Sequence, residues 1–119
     1  MNKALATISS ANLDILDRDM LTFWIQVDYE SGTSQNVGGF ALDEWDEKKK
    51  RRVGTAYGCE MIIQLLKLFK VNSLEKFKNR TVFILGDGEG FSFKPRGIQM
   101  LRSDGGKQLI FTDIAKEML

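Results

Sequence analysis

Three groups of residues in this chain have the types and spacing to do chemistry, and each also has a plainer structural reading. The first joins Gly38 and Gly39 to Arg52, Gly54 and Thr55. Bare glycine backbone lets N–H groups approach a phosphate closely, and a helix N-terminus adds free N–H donors and a favourable dipole. Arg52, three residues before Thr55, puts a guanidinium and a hydroxyl near the helix start expected at Gly54 or Thr55. Together these fit an anion such as a nucleotide phosphate, provided that the two segments meet in space. Ordinary capping and sheet packing account for the same residues equally well.

The second group is Phe91, Phe93, Arg96 and Arg102. Aromatic faces stack on bases and arginine holds phosphate in a bidentate manner, although a hydrophobic core is the commoner use of phenylalanine. The third is Gly86-Asp87-Gly88-Glu89-Gly90, which has the glycine content of a phosphate loop. It lacks the Gly-Lys-Ser/Thr ending, no helical pattern follows it, and its two acids repel phosphate. A flexible hairpin turn is the first reading, with a metal site as the alternative.

Composition narrows the chemistry. The chain has no histidine, so Ser-His-Asp and Cys-His nucleophile systems and histidine zinc sites are excluded. Its single cysteine, Cys59, allows neither an internal disulfide nor a cysteine metal cage. Seventeen Lys and Arg against sixteen Asp and Glu leave a net charge of +1. Attraction of the whole surface to DNA or to an acidic membrane is therefore not expected, and any anion site must be local. Catalysis is disfavoured, and neither a cofactor nor a metal is expected. The 119 residues, 43% apolar and 28% charged, suit one globular domain over 1–119. Thr7, Ser9, Ser10 and Asn12 interrupt any leader-like apolar stretch, and no apolar run is long enough to cross a bilayer. A cytosolic protein is expected.

The elements that must position these residues follow from periodicity. Ala4–Leu16 alternates in part, with Ala11, Leu13 and Ile15 on one side. Asp17-Arg18-Asp19 suits a tight turn, and Leu21–Tyr29 alternates cleanly through Phe23, Ile25 and Val27, giving a hairpin. Glu30–Asn36 reads as a loop, Val37–Leu42 as a third strand opened by two glycines, and the charged run Asp43–Arg52 as a solvated loop or helix end. The main helix spans about 55–70. Its polar stripe (Glu60, Gln64, Lys67) is so narrow that one sheet cannot cover the remaining apolar surface, which predicts a homo-oligomer. Ser73 caps a short turn through Phe77, and Thr81–Leu85 is a buried central strand. Phe91–Lys94 forms a hairpin with it, Pro95 breaks the pattern before Ile98–Leu101, and Asp104–Lys107 turns into Leu109–Phe111. Thr112 or Asp113 then caps a last helical turn. The sum is an α+β fold with an antiparallel sheet and helices packed on it.

Several of these segments together resemble a known family. Leu13–Thr22, Val27-Asp28-Tyr29, Gly38–Asp43 and Gly54-Thr55-Ala56-Tyr57-Gly58 ahead of an apolar helix are similar to the first described family of phage Thoeris anti-defence sponges. The likeness is strongest from Leu13 to Leu66 and weaker after Val82, and the chain departs from the pattern at Glu30–Asn36 and at Glu89–Pro95. The resemblance implies a protein in the cytoplasm of the infected bacterial host that sequesters cyclic nucleotide immune signals without cleaving them. These are glycocyclic ADP-ribose of Thoeris and, for some members, cyclic di- or trinucleotides of CBASS. It implies dimers assembled into hexamers as trimers of dimers, with no DNA or membrane partner. By analogy Gly38, Gly39, Arg52 and Thr55 would contact cyclic oligonucleotide phosphates where subunits meet. Phe91, Arg96 and Arg102 would hold the ADP-ribose isomer between subunits. Two rivals stand beside this reading: an enzyme that destroys a nucleotide signal using Asp87 or Glu89 with a metal, and a protein-binding inhibitor of a bacterial defence complex.

Overall fold

The computed structural model describes residues 1–16 and 19–118. The fold is α+β, built on a six-stranded antiparallel sheet in the order β3-β2-β1-β6-β7-β8. Its strands are β1 (Asn2–Leu16), β2 (Met20–Tyr29), β3 (Ser34–Ala41), β6 (Thr81–Asp87), β7 (Lys94–Met100) and β8 (Gln108–Ile110). A separate two-stranded ribbon joins β4 (Asp43–Asp46) to β5 (Arg51–Gly54), and two helices follow, α1 (Ala56–Phe69) and α2 (Phe111–Glu117).

The long β1 organises the sheet. Its first part pairs with β6 from Asn2↔Gly86 to Thr7↔Thr81, and its second with β2 from Ala6↔Tyr29 to Leu16↔Met20. The alternation of β2 places Phe23, Ile25 and Val27 on the face that meets α1, where each is almost wholly buried. Met61, Leu65 and Phe69 of α1 complete that core with Ile8, Val37, Ile84, Ile98 and Met100. Phe77 stacks on Phe69 with ring centroids 4.1 Å apart.

The hairpin, the central strand and the main helix follow the sequence expectation, and several details differ. Asp17 and Arg18 of the expected tight turn lie outside the described residues, as does Leu119. The segment Glu30–Asn36 is only partly loop, because β3 already begins at Ser34. The charged run Asp43–Arg52 is loop only at the exposed turn Glu47–Lys50: its two ends form the β4–β5 ribbon, with Trp45 opposite Arg52. Pro95 does not break its strand. It lies within β7 opposite Gly86, beside a shift in register at Leu85/Gly86, where a missing ladder donor is tolerated. Phe91 is not in a strand but in a 3₁₀ turn, Gly90–Ser92. Ser73 stands at the N-cap of the turn Leu74–Phe77 as expected but makes no side-chain cap bond, whereas α2 starts at Phe111 after Ile110, ahead of Thr112 and Asp113.

The wide apolar surface of α1 finds its second cover inside the chain. Phe111 and Ile114 of α2 are buried in the common core, Ile62, Leu66 and Leu68 pack against it, and Gln64 donates to Glu117 at 3.0 Å. Of the helix's large apolar residues only Ile63 stays exposed. The helix therefore does not by itself call for another copy of the protein.

Candidate functional site

The residues that the sequence joins into one anion site occupy separate structural roles. Gly39 is the extra residue of a β-bulge, since Phe23 pairs with Phe40 while Trp24 pairs with Gly38. Both glycines have positive φ, 106° and 76°, which explains why this site holds glycine. With Leu16, Thr22, Trp24 and Asn36 they border a shallow hollow of about 250 Å³. Neither Arg52 nor Thr55 lines it.

Arg52 instead holds Asp43. Its Nη2 and Nε donate to Asp43 Oδ1 at 2.8 and 3.1 Å, and Nη2 also donates to the Asp43 carbonyl at 3.1 Å. The pair is largely shielded from solvent. The guanidinium holds the Asp43 carboxyl below the usual carboxylate range, and Asp43 in turn raises Arg52. Thr55 is the N-cap of α1: its hydroxyl accepts from Gly58 N–H at 2.9 Å and donates to the Leu42 carbonyl at 3.1 Å. Gly58 is required by contact, because a Cβ there would stand 2.5 Å from Leu42 Cα. The Gly54–Gly58 segment thus clamps the helix start onto Leu42, and its polar groups are committed to that task.

Of the four aromatic and basic candidates, Phe91 and Phe93 line one cleft and the two arginines lie apart from it. Phe91 is fully exposed at the rim of a large cleft. Arg96 pairs with Asp87 at 2.8 Å and does not line the cleft. Arg102 lies beyond the opposite end of β7, in the 3₁₀ turn Arg102–Asp104.

That cleft, of about 1130 Å³, is formed where three segments meet at one end of the sheet. These are the start of β1 (Asn2 to Leu5), the turn from Tyr29 into β3 with Glu30, Ser31, Thr33, Ser34 and Gln35, and the loop from Gly88 to Phe93. Sheet order brings them together, because β1 lies between β2 and β6 and the two loops therefore flank its first residues. Cross-ties hold the walls. Tyr29 Oη donates to Gln35 Oε1, Gln35 Nε2 donates to the Phe93 carbonyl at 3.2 Å, and the Tyr29 and Phe93 rings meet edge to face at 6.1 Å. Asn2 Nδ2 donates to the Gly88 carbonyl at 2.9 Å. Burial pushes the Tyr29 hydroxyl up to about 12.

The lining offers an aromatic face at Phe91, hydroxyls at Ser31, Thr33 and Ser34, one cation at Lys3, and two acids, Glu30 and Glu89. Gly88 and Gly90, with φ of 84° and 55°, give the loop the tight path that leaves Phe91 at its crest. Among the described residues no group of three or more His, Cys, Asp or Glu is placed to hold a metal ion, and no helix is long and apolar enough to cross a membrane. Sequence reasoning singled out Phe91, Phe93 and the Gly88-Glu89-Gly90 loop but missed Lys3, Tyr29, Gln35 and the serine and threonine hydroxyls. The signal available for the missed set was the small polar run Ser31–Ser34 between two strands.

No protein-family model, no curated protein and no solved structure matches this chain.

Proposed function

We propose that this chain binds and sequesters a nucleotide immune signal in the Phe91 cleft, without cleaving it, as a phage anti-defence protein in the cytoplasm of its bacterial host. One observation carries the reading: a fully exposed phenylalanine stands over a cleft of about 1130 Å³. An exposed aromatic with no packing role is a ready stacking platform for a base, and ligand pockets of about 300–1,000 Å³ already take drug-sized molecules. The resemblance of Leu13–Leu66 to Thoeris anti-defence sponges supports the class of ligand. Capture of a scarce signal needs a dissociation constant near nanomolar, about −12 kcal/mol. Enclosure from three sides by chain segments that are already tied together lowers the ordering cost of reaching it.

The ADP-ribose isomer fits this cleft better than a cyclic oligonucleotide. Lys3, whose ammonium lies 4.6 Å over the Phe83 ring, shares the lining with two acids, Glu30 and Glu89, so the site suits a ligand that presents bases and sugars to the hydroxyls and Phe91 and carries only a short pyrophosphate. Arg52 and Thr55 are not part of the proposed site, because Asp43, Leu42 and Gly58 occupy their polar atoms.

Capture and release distinguish this reading from its rivals. The pure protein is incubated with a cyclic ADP-ribose isomer, or with cyclic di- and trinucleotides, then filtered and heat-denatured. Intact ADP-ribose isomer recovered only after heating is the expected result. Hydrolysed product indicates an enzyme, and a signal that stays in the filtrate overturns the nucleotide reading.

A further inference from the structure

The net charge of +1 conceals a local asymmetry. Strands β6 and β7 run from Asp87 and Lys94 beside the Phe91 cleft to Val82 and Met100 at the far end of the sheet. Three segments meet at that far end: the close of α1 at Phe69 and Lys70, the stretch Leu74–Arg80 that leads into β6, and the turn Arg102–Lys107 between β7 and β8. Arg80 joins them. Its Nη1 donates to the Phe69 carbonyl at 3.1 Å, and its Nη2 lies 3.6 Å from an Asp104 carboxylate oxygen. Lys70 reaches the same turn, since its ammonium stands 3.7 Å from the position that a Cβ at Gly105 would take. Residues 70–80 and 102–107 hold six cations (Lys70, Lys76, Lys78, Arg80, Arg102 and Lys107) and two acids, Glu75 and Asp104. The rest of the chain is left with eleven cations against fourteen acids.

Arg80 and Asp104 pair with each other, which leaves five cations against Glu75. All five are exposed, and among the described residues none of them makes an ion pair. Lys70 closes α1 with φ of 56°, a conformation that glycine adopts more readily, so a lysine is kept where the backbone favours its replacement. Cations gathered at one end of a small protein repel one another and attract a polyanion. We propose that this end of the sheet binds the phosphate backbone of a nucleic-acid duplex without regard to sequence. The groups interleaved with the cations fit that ligand. Asn72, Asn79 and Ser103 are exposed amide and hydroxyl donors of the kind that contact phosphodiester oxygens. Neither segment carries an exposed aromatic ring to stack on an unpaired base, which favours paired strands whose phosphates face outward. Neither carries one of the large exposed apolar side chains that would enter a lipid surface.

The inference goes beyond the signal-capture reading and does not depend on it, since the site lies at the other end of the sheet and no ADP-ribose isomer enters the test. Fluorescence anisotropy of labelled DNA and RNA duplexes of about 20 base pairs is expected to show binding that weakens on the order of a hundredfold between about 50 and about 200 mM salt, as neutralisation of about four phosphates requires. Tighter binding of either duplex supports the inference and names its backbone. Lys76→Glu/Lys78→Glu should weaken binding about tenfold or more at the lower salt. Lys48→Glu/Lys49→Glu, which makes the same change of charge at the exposed tip of the β4–β5 ribbon, should stay within about twofold of wild type. Failure of both duplexes to bind at the lower salt overturns the inference. An equal loss in the two charge-reversed variants also overturns it, because net charge alone would then explain the binding. Co-sedimentation with phosphatidylserine vesicles while both duplexes stay free assigns this end to a membrane and overturns it as well. Should Lys76→Glu/Lys78→Glu prove unfolded by circular dichroism, Arg102→Ala/Lys107→Ala in the other segment decides the same question.

Discussion

Arg52 grips Asp43 through one carboxylate oxygen, at 2.8 and 3.1 Å, while the other oxygen accepts from Leu21 N–H at 3.1 Å. One aspartate thereby ties the β4–β5 ribbon to the start of β2. Leu42, its neighbour, donates to the Leu21 carbonyl at 2.8 Å and accepts from Thr55 N–H at 3.0 Å. Ribbon, sheet and helix start are joined at these two residues, and the polar groups of Arg52 and Thr55 are occupied in making that joint.

The first prediction follows from that joint. Arg52→Ala removes the guanidinium and leaves a shielded carboxylate with one backbone donor, so the melting temperature should fall by several degrees while retention of an ADP-ribose isomer stays unchanged. The acid limb gives a second readout. Asp43 titrates below its unfolded value in the folded chain, so its contribution is fully present above about pH 4 and is lost as pH falls through the lower folded value. Thermal scans between about pH 5 and pH 2 should show a steeper loss in wild type than in Asp43→Asn. Parallel curves would place the pair outside the stability of the fold.

The second prediction concerns two glycines of one segment. At Gly58 an added methyl would stand 2.5 and 2.6 Å from the Leu42 Cα and carbonyl oxygen, which are backbone atoms and cannot give way. Gly58→Ala should cost about 3 kcal/mol. At Gly54 nothing lies within 4 Å, so Gly54→Ala should be neutral or stabilising by about 0.5 kcal/mol. Thr55→Ala, which removes the cap on Gly58 N–H, should cost about 1 kcal/mol, and Thr55→Ser should recover most of it. Urea unfolding of the four variants checks the ranking, and equal midpoints for Gly54→Ala and Gly58→Ala would contradict the packing argument.

How far the sequence reveals this fold depends on which force shapes each element. Phe23, Ile25 and Val27 alternate because one face of β2 is buried, and Met61, Leu65 and Phe69 recur at helical spacing, so strand and helix are both legible. The ribbon is not. Asp43–Asp46 and Arg51–Gly54 lack an apolar alternation, and their pairing rests on a cross-strand ion pair that no local pattern records. Pro95 misleads for a related reason, since its missing donor matters only against a partner whose register shifts beside it. The site was legible only along one wall, from Gly88 to Phe93. Phe91 stands out as an aromatic amid glycines, but Lys3 and Gln35 join it only through the order of strands in the sheet.

The third prediction isolates binding from folding. Phe91 is fully exposed, so Phe91→Ala should leave the melting temperature within about a degree of wild type. If its ring stacks on a base, the same change should weaken capture of the ADP-ribose isomer by about tenfold or more, and Phe91→Trp should restore it. Calorimetric titration gives both affinities. Full affinity in Phe91→Ala would remove the aromatic platform from the proposed site.

The fourth prediction uses the cleft wall itself. Tyr29 packs edge to face on Phe93 and donates to Gln35, and its burial pushes the phenol up to about 12 against an ordinary value of 10.0. A raised folded pKa means that this contribution to stability is complete below the unfolded value and is lost as pH rises through the folded one, here from about pH 10 to 12. Tyr57 is also raised by burial, so neither tyrosine should show a midpoint at the ordinary value. Absorbance at phenolate wavelengths, followed in a Tyr57→Phe background, should give one late transition for Tyr29. Phe93→Ala opens the wall to water and should move that transition back toward the ordinary value. The same variant should weaken capture of the ADP-ribose isomer, because Phe93 and Gln35 fix the loop that carries Phe91. An unshifted transition in the folded Phe93→Ala protein would mean that Phe93 does not shield Tyr29, and the cleft wall would then owe its shape to Gln35 alone.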